Sequence, residues 1–282
     1  MLFLFTHWVK AETYSVATLD WTTAETLVAL GQQPLAVGDK KSYQVWVAEP
    51  KLANNVIDLG IRLQPNTEQL LALRHHFIPQ HLLFINSSFY KSTNELLQRF
   101  GKVQWVDFYR EGNIWQNVLD ATQQIAIFIE RQQAFHQLMA DYWDQITQLK
   151  AQALAFIYRP IILVQFADKR HLRIYGENSL FGTVLTQLGF KNAWQGAVNQ
   201  WGFSLVEVTQ LAKLAENSRF VVIKPYPANI HSTLAHNTLW QHLSMAKDPL
   251  ILPAVWTFGG IPSAQRFANT LLHALQFGGE QW

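Results

Sequence analysis

The chain has 282 residues, a formal net charge of +2 and no cysteine; 49% of its residues are hydrophobic and 15% are charged. That length carries two globular cores. The weak charge, without any Lys/Arg run, excludes a nucleic-acid binder, no apolar run reaches membrane-spanning length, and disulfides and thiol catalysis are excluded. The aromatic load is heavy, with 11 Trp, 8 Tyr and 18 Phe, which favours a recognition protein over a purely structural one.

Residues 1–11 begin with the short apolar run Leu2–Phe5 and end in Val9-Lys10-Ala11, which has the small-residue form of a cleavage site. They are read as the remnant of a signal peptide, with the mature chain starting near Glu12. Val16–Leu19 then reads as a short strand. Thr22 and Glu25 have capping-box spacing and open a helix over Ala24–Leu30 that stops at Gly31. Pro34–Val37 and Val56–Leu59 are further strands, the latter running into Gly60-Ile61-Arg62. Asn66 with Gln69 starts a helix over Glu68–Arg74, His81–Ile85 is a strand, Ser92 with Glu95 starts a helix over Asn94–Phe100, and Val103–Phe108 is the last strand of this half. Strand and helix alternating at this spacing imply βα units and a largely parallel sheet.

At the middle of the chain, Phe135, Leu138, Met139, Tyr142, Ile146, Leu149 and Ala153 recur at spacings of three and four, with Gln and Asp between them. That is one face of an amphipathic helix over residues 131–154, roughly 35 Å long at about 1.5 Å per residue. Neither Gly nor Pro occurs from Asn113 to Arg159, so nothing in the sequence forces a break there. The expected organisation is therefore an N-terminal α/β lobe (12–130), a connecting helix (131–154) and a C-terminal α/β lobe (155–282). In the second half Ile161–Phe166 and Leu172–Tyr175 read as a hairpin and Leu180–Leu188 as a helix ended by Gly189. Leu205–Leu214 and Thr238–Leu243 read as helices, Phe220–Ile223 and Leu250–Val255 as strands, and Ile261–Leu275 as the last helix.

The dinucleotide fingerprint, the phosphate-binding loop, the nucleophile elbow and the H-E-x-x-H zinc motif are all absent from the sequence. His75-His76 is the only adjacent histidine pair, and neighbouring helical positions point apart, so it reads as solvent-facing. What remains lies at strand ends, where open α/β sheets bind ligands. Arg62 follows Val56–Leu59, Tyr90 follows His81–Ile85, Trp201 sits in the Gly-rich stretch Trp194–Gly202, Trp256 ends Leu250–Val255, and Trp46 lies in an isolated short run. One cation, one phenol and three indoles would grip a large, flat-sided ligand bearing oxygen acceptors.

Three stretches carry a resemblance: residues 43–66 (YQVWVAEPKLANNVIDLGIRLQPN), 175–202 (YGENSLFGTVLTQLGFKNAWQGAVNQWG) and 252–258 (LPAVWTF). In order and spacing, from about Ser15 to the end, the chain resembles the periplasmic ferric hydroxamate-binding proteins of iron importers. The resemblance implies a class III substrate-binding protein: two α/β lobes, each with a largely parallel sheet flanked by helices, joined by one long interlobe α-helix, with the ligand in a shallow cleft. It further implies that Arg62, Tyr90, Trp46, Trp201 and Trp256 contact the ligand. The iron stays inside its chelator, so no catalytic residue, protein metal ligand or intrinsic cofactor is expected.

The same resemblance implies docking on an inner-membrane ABC permease, with its ATPase, through one acidic residue on each lobe. Glu95 fits for the N-terminal lobe, where completing a capping box with Ser92 is the plainer role. In the C-terminal lobe the expected acidic position is Thr209, and Glu207 stands two residues earlier. The sequence thus reads as a monomeric, non-enzymatic binding protein of a Gram-negative periplasm that delivers ferric hydroxamates. Within the fold the rivals are binders of a catecholate siderophore, haem or a corrinoid. Catecholate complexes call for several basic residues, and Arg62 is the one evident at the strand ends. A two-lobed α/β enzyme such as a sugar transferase would need a phosphate loop or a carboxylate pair on the strand ends, and neither is seen.

Overall fold

The structure, a computed structural model, describes residues 14–76, 81–214 and 217–282. The expected signal-peptide remnant at 1–11 and the side chains of His75 and His76 lie outside what it describes. Two five-stranded sheets form the frame. The N-terminal sheet contains β1 (Ser15–Thr18), β2 (Ala36–Val37), β3 (Ile57–Asp58), β4 (Leu82–Asn86) and β5 (Lys102–Trp105) in the order β3-β2-β1-β4-β5. Every neighbouring pair in it is parallel. The C-terminal sheet contains β6 (Ile161–Phe166), β7 (His171–Tyr175), β8 (Phe203–Glu207), β9 (Arg219–Ile223) and β10 (Leu250–Leu252) in the order β10-β9-β6-β7-β8. Its β6, β9 and β10 are parallel, and β7 and β8 extend it as an antiparallel meander.

Around the N-terminal sheet stand α1 (Trp21–Ala29), α2 (Lys40–Trp46), α3 (Thr67–His76) and α4 (Asn94–Leu97). Next come α5 (Ile114–Phe128) and α6 (Gln132–Ala153), then α7 (Leu180–Leu188), α8 (Ile230–Ala235), α9 (Thr238–His242) and α10 (Ile261–Phe277). The connecting helix α6 buries Leu138, Tyr142, Ile146, Leu149 and Ala153, the face that the spacing predicts. It packs on α5, α7 and α10. One apolar core therefore runs from Val16 and Ile85 in the first sheet, through Tyr142 and Ile146, to Leu163 and Ile223 in the second. Among the described residues no helix is long and apolar enough to cross a membrane.

Three local readings are corrected, and one break falls where no residue type announces it. Between α5 and α6 the helix breaks at Ile129–Arg131 although the stretch contains neither Gly nor Pro. Glu130 adopts a left-handed φ of 55°, and the Arg131 and Glu130 amides close on the carbonyls of Ala126 (2.7 Å) and Ile127 (3.2 Å). That Schellman closure satisfies the last carbonyls of α5, while Ile129 turns into the core. Leu205–Leu214 is not a helix. Its first residues belong to β8, paired along its length with β7, and a 3₁₀ segment over Val208–Lys213 follows.

Thr22 and Glu25 do not form a capping box. Helix α1 starts earlier, at Trp21, and Asp20 caps it by accepting from the Thr22 and Thr23 amides at 2.8 and 3.3 Å. Ser92 likewise caps nothing. A 3₁₀ stretch over Ser88–Thr93 runs into the single turn of α4, whose N-cap Thr93 makes no side-chain capping bond. Asn66 does cap α3, accepting from the amides of Glu68 and Gln69 at 2.8 and 3.2 Å.

Candidate ligand-binding cleft

The C-terminal ends of all five parallel strands of the first sheet open on one side. The loops they feed carry Asp20–Thr22, Asp39, Arg62, Ser87–Tyr90 and Asp107–Tyr109, which form one wall of a cleft of about 730 Å³. The opposite wall comes from the second lobe: Arg173, Gln200, Trp201, Phe203, Trp256 and Phe258. All five residues expected from the sequence, Arg62, Tyr90, Trp46, Trp201 and Trp256, line this cleft.

Arg62 is aimed by a turn at Gly60, whose φ of 76° suits glycine. Its guanidinium lies 3.7 Å from the centroid of the Trp21 ring and donates through Nη1 to the Tyr90 hydroxyl at 2.9 Å. Trp21 is itself held by its indole N–H, which donates to the Gly38 carbonyl at 2.8 Å. A side chain at position 38 would put its Cβ 3.1 Å from Arg62 Cγ and 3.2 Å from the Leu19 backbone, so glycine leaves the lane through which the arginine passes. Among the described residues no carboxylate lies within 4.0 Å of the Arg62 nitrogens.

Tyr90 is buried, and that burial, reinforced by the nearby Asp20 charge, raises its phenol well above the ordinary value despite the opposing Arg62 charge. It stays protonated. Because its oxygen accepts from Arg62, its own proton remains to be donated.

Across the cleft the indoles of Trp21, Trp46 and Trp256 form a connected set. Trp256 meets Trp21 edge-on at 5.1 Å, Trp46 at 6.5 Å and Phe258 at 5.3 Å. Trp46 closes α2 and is half-buried. Strand β10 ends at Leu252, so Trp256 sits on the loop beyond it rather than on its last residue. Trp201 is fixed through its amide, which donates to Asn199 Oδ1 at 3.0 Å.

The floor of the cleft joins the lobes. Trp256 Nε1 donates to Thr22 Oγ1 at 3.0 Å, and Thr22 Oγ1 donates to the Phe258 carbonyl at 2.6 Å. Tyr109 donates its hydroxyl to the Gly259 carbonyl at 2.8 Å. Glu25, wholly buried, accepts from the Gly260 amide at 2.5 Å and the Ser263 hydroxyl at 2.6 Å, at the start of α10. Burial raises its carboxyl to about 8, against the lowering effect of those hydrogen bonds.

Sequence reasoning missed Trp21, Tyr109 and Arg173. Trp21 follows Asp20 directly at the end of β1, and the strand-end argument that found Arg62 applies to it equally. Arg173 corrects the reading of Arg62 as the one evident basic residue, since both line the cleft. It lies on β7 between the fully buried Leu172 and Ile174, which face the other side of the sheet. Alternation along the strand thus turns it with Tyr175 toward the lobe junction. The proposed docking acids Glu95 and Glu207 stand outside the cleft lining, and both are exposed.

Two α/β lobes, a stiff helical connection and a preformed aromatic cleft between them define a substrate-binding protein of the helix-linked class. The chain matches the family model described as periplasmic binding protein over residues 16–247, and it belongs to that family. It is 30% identical over 262 residues, 92% of this chain and 86% of the relative, to the iron(3+)-hydroxamate-binding protein FhuD of Escherichia coli K12. Its fold is similar, with a TM-score of 0.85 and 22% identity, to Vibrio cholerae FhuD bound to Fe3+-Desferal, covering 95% of this chain and 100% of that one. It is also similar, with a TM-score of 0.71 and 15% identity, to the triscatecholate siderophore-binding protein FeuA of Bacillus subtilis in complex with ferri-bacillibactin, covering 94% and 93%. The fold is thus shared between hydroxamate and catecholate binders, so ligand class has to be argued from the cleft.

Proposed function

We propose that this protein captures a ferric hydroxamate siderophore in the interlobe cleft and delivers it to an ABC importer. The observation that carries the reading is the pairing of Arg62 with Tyr90 at the end of the parallel sheet. A guanidinium without a carboxylate partner and a phenol with its proton to spare offer several donors in one place. The partly negative oxygens around a hydroxamate-bound iron are acceptors of matching kind, and Trp46, Trp201 and Trp256 cover the apolar arms of the chelator. The iron is cargo, held by the chelator. A triscatecholate is disfavoured because it brings a high negative charge, and the cleft sets three aspartates, Asp20, Asp39 and Asp107, against two arginines. The 30% identity to an iron(3+)-hydroxamate-binding protein supports the same choice.

The chain is organised as an N-terminal lobe (12–130), a connecting helix (131–154) and a C-terminal lobe (155–282), and acts as a monomer in a Gram-negative periplasm. It docks on the permease through Glu95 on one lobe and Glu207 on the other. Support comes from the exposure of both acids, although Glu207 already accepts from Thr209 Oγ1 at 3.2 Å.

Titration of tryptophan fluorescence with ferrioxamine B and with a ferric triscatecholate tests the reading. Iron close to Trp21, Trp46 and Trp256 should quench saturably with the hydroxamate. Tighter binding of the catecholate, or no quenching by the hydroxamate, overturns it.

A further inference from the structure

Arg173 gives the C-terminal wall of the cleft a cation of its own, and the charges around the cleft are unevenly divided. The N-terminal wall has Arg62 together with Asp20, Asp39 and Asp107, whereas the C-terminal wall has Arg173 and no acid. The three aspartates are engaged by backbone amides of their own lobe: Asp20 by Thr22 and Thr23, Asp39 by Ser42 and Asp107 by Ser88.

The guanidinium of Arg173 is half-buried and lies 5.5 Å from the ring centroid of Phe203 and 5.6 Å from that of Phe258. Its Nη1 donates to Gln165 Oε1 at 3.1 Å, and among the described residues no carboxylate comes within 4.0 Å of it. Its charge is therefore supported by neutral groups alone, the Gln165 amide, the Tyr175 phenol and two aromatic faces. Such partners orient a guanidinium and leave its charge uncompensated in a site that a bulky ligand would desolvate.

We propose that Arg173 is a specificity-determining contact that selects ferric hydroxamates carrying a pendant carboxylate, bound against the C-terminal wall while the iron-bound oxygens face Arg62 and Tyr90. The proposal rests on the hydroxamate reading above. It narrows the substrate class from any ferric hydroxamate to those with an anionic arm directed away from the aspartates.

One chelate with two pendant groups tests it. Acylating the free amine of ferrioxamine B with an acetyl group gives a neutral pendant, and with a succinyl group a carboxylate, without altering the iron centre. The wild-type protein should bind the succinyl form about tenfold more tightly than the acetyl form, the low end of a charge-assisted hydrogen bond. Added salt should shrink that ratio. Arg173→Gln should collapse the ratio toward one, Arg173→Lys should retain part of it, and Arg62→Ala should weaken both forms while keeping the ratio. A wild-type ratio near one, or a ratio that survives Arg173→Gln in a variant with an intact thermal transition, overturns the role of Arg173 and leaves the hydroxamate reading standing. Failure of the wild-type protein to bind either form overturns the hydroxamate reading and this inference together.

Discussion

The guanidinium of Arg62 lies over Trp21, 3.7 Å from the ring centroid, and among the described residues no carboxylate pairs with it. The arginine is therefore seated by an aromatic face and a phenol, and its charge is left for the ligand. Arg62→Ala should weaken ferric hydroxamate binding by about tenfold to a hundredfold, the worth of one charge-assisted hydrogen bond. Arg62→Lys should recover part of this, because an ammonium cannot fork across two oxygens. Stability should fall by about 1 kcal/mol or less, the scale of a cation–π contact. Paired measurements of Kd and Tm check it, and a large Tm drop with unchanged Kd would show a structural arginine.

Trp21 is almost fully buried, so its effect on binding should run through Arg62. Trp21→Leu removes the platform and the hydrogen bond to Gly38, and should weaken binding by about tenfold, within the range of coupled neighbours. In an Arg62→Ala background the same substitution should change Kd far less. The double-mutant cycle reads the difference directly, and additive effects would mean that Trp21 acts independently.

The alternation of strands and helices and the apolar stripe of α6 were legible because periodicity reports directly on burial. Arg62 and Tyr90 were legible as cleft residues because both stand just past the ends of parallel strands. The break at Glu130 was not, since its left-handed turn is held by backbone hydrogen bonds to Ala126 and Ile127 that no residue type announces. Strand β8 hid because Leu205–Leu214 satisfies a helical period, and only pairing with β7 decides the case. Glu25 at capping-box spacing looked local, yet its partners lie 235 and 238 residues away. Arg173 could have been noticed as a charge within an otherwise apolar strand, but the face it occupies depends on the register of β6 and β7.

The proposed permease docking would be separable from ligand capture, because Glu95 and Glu207 are exposed and lie outside the cleft. Glu95→Ala should leave Kd for the ferric chelate unchanged and lower the stimulation of the importer's ATPase in proteoliposomes severalfold. Glu207→Ala should act in the same direction. If Glu207→Ala leaves stimulation intact while Glu95→Ala abolishes it, docking on the C-terminal lobe runs through another group.

Motion between lobes should be small. Besides α6, the lobes share the hydrogen bonds of Thr22 to Phe258, Trp256 to Thr22, Tyr109 to Gly259 and Gly260 to Glu25, all at the cleft floor. Hinge closure would have to break this set and shear a continuous core. X-ray scattering of the apo and loaded protein should therefore give nearly superimposable curves, and closure by tens of degrees would contradict the arrangement.

Glu25 makes that junction sensitive to pH. Its carboxyl is raised to about 8 in the folded protein, chiefly by burial, with the Asp20 charge adding to the rise; the unfolded value is near 4.5. Between those values the folded state holds a proton that the unfolded state has released, so stability falls as pH rises. The contribution is complete below about 4.5 and lost on passing through about 8. Glu25→Gln keeps an acceptor for the Gly260 amide and can donate to Ser263, yet it cannot titrate. It should raise Tm relative to the wild type at pH 8 to 9, converge with it near pH 5, and flatten the slope between. Glu25→Ala loses both bonds and should lower Tm at every pH, by an amount equivalent to about 1–3 kcal/mol for a buried donor left without its partner. Thermal unfolding of the three proteins from pH 5 to 9 checks the argument, and parallel wild-type and Glu25→Gln profiles would remove Glu25 as the titrating group.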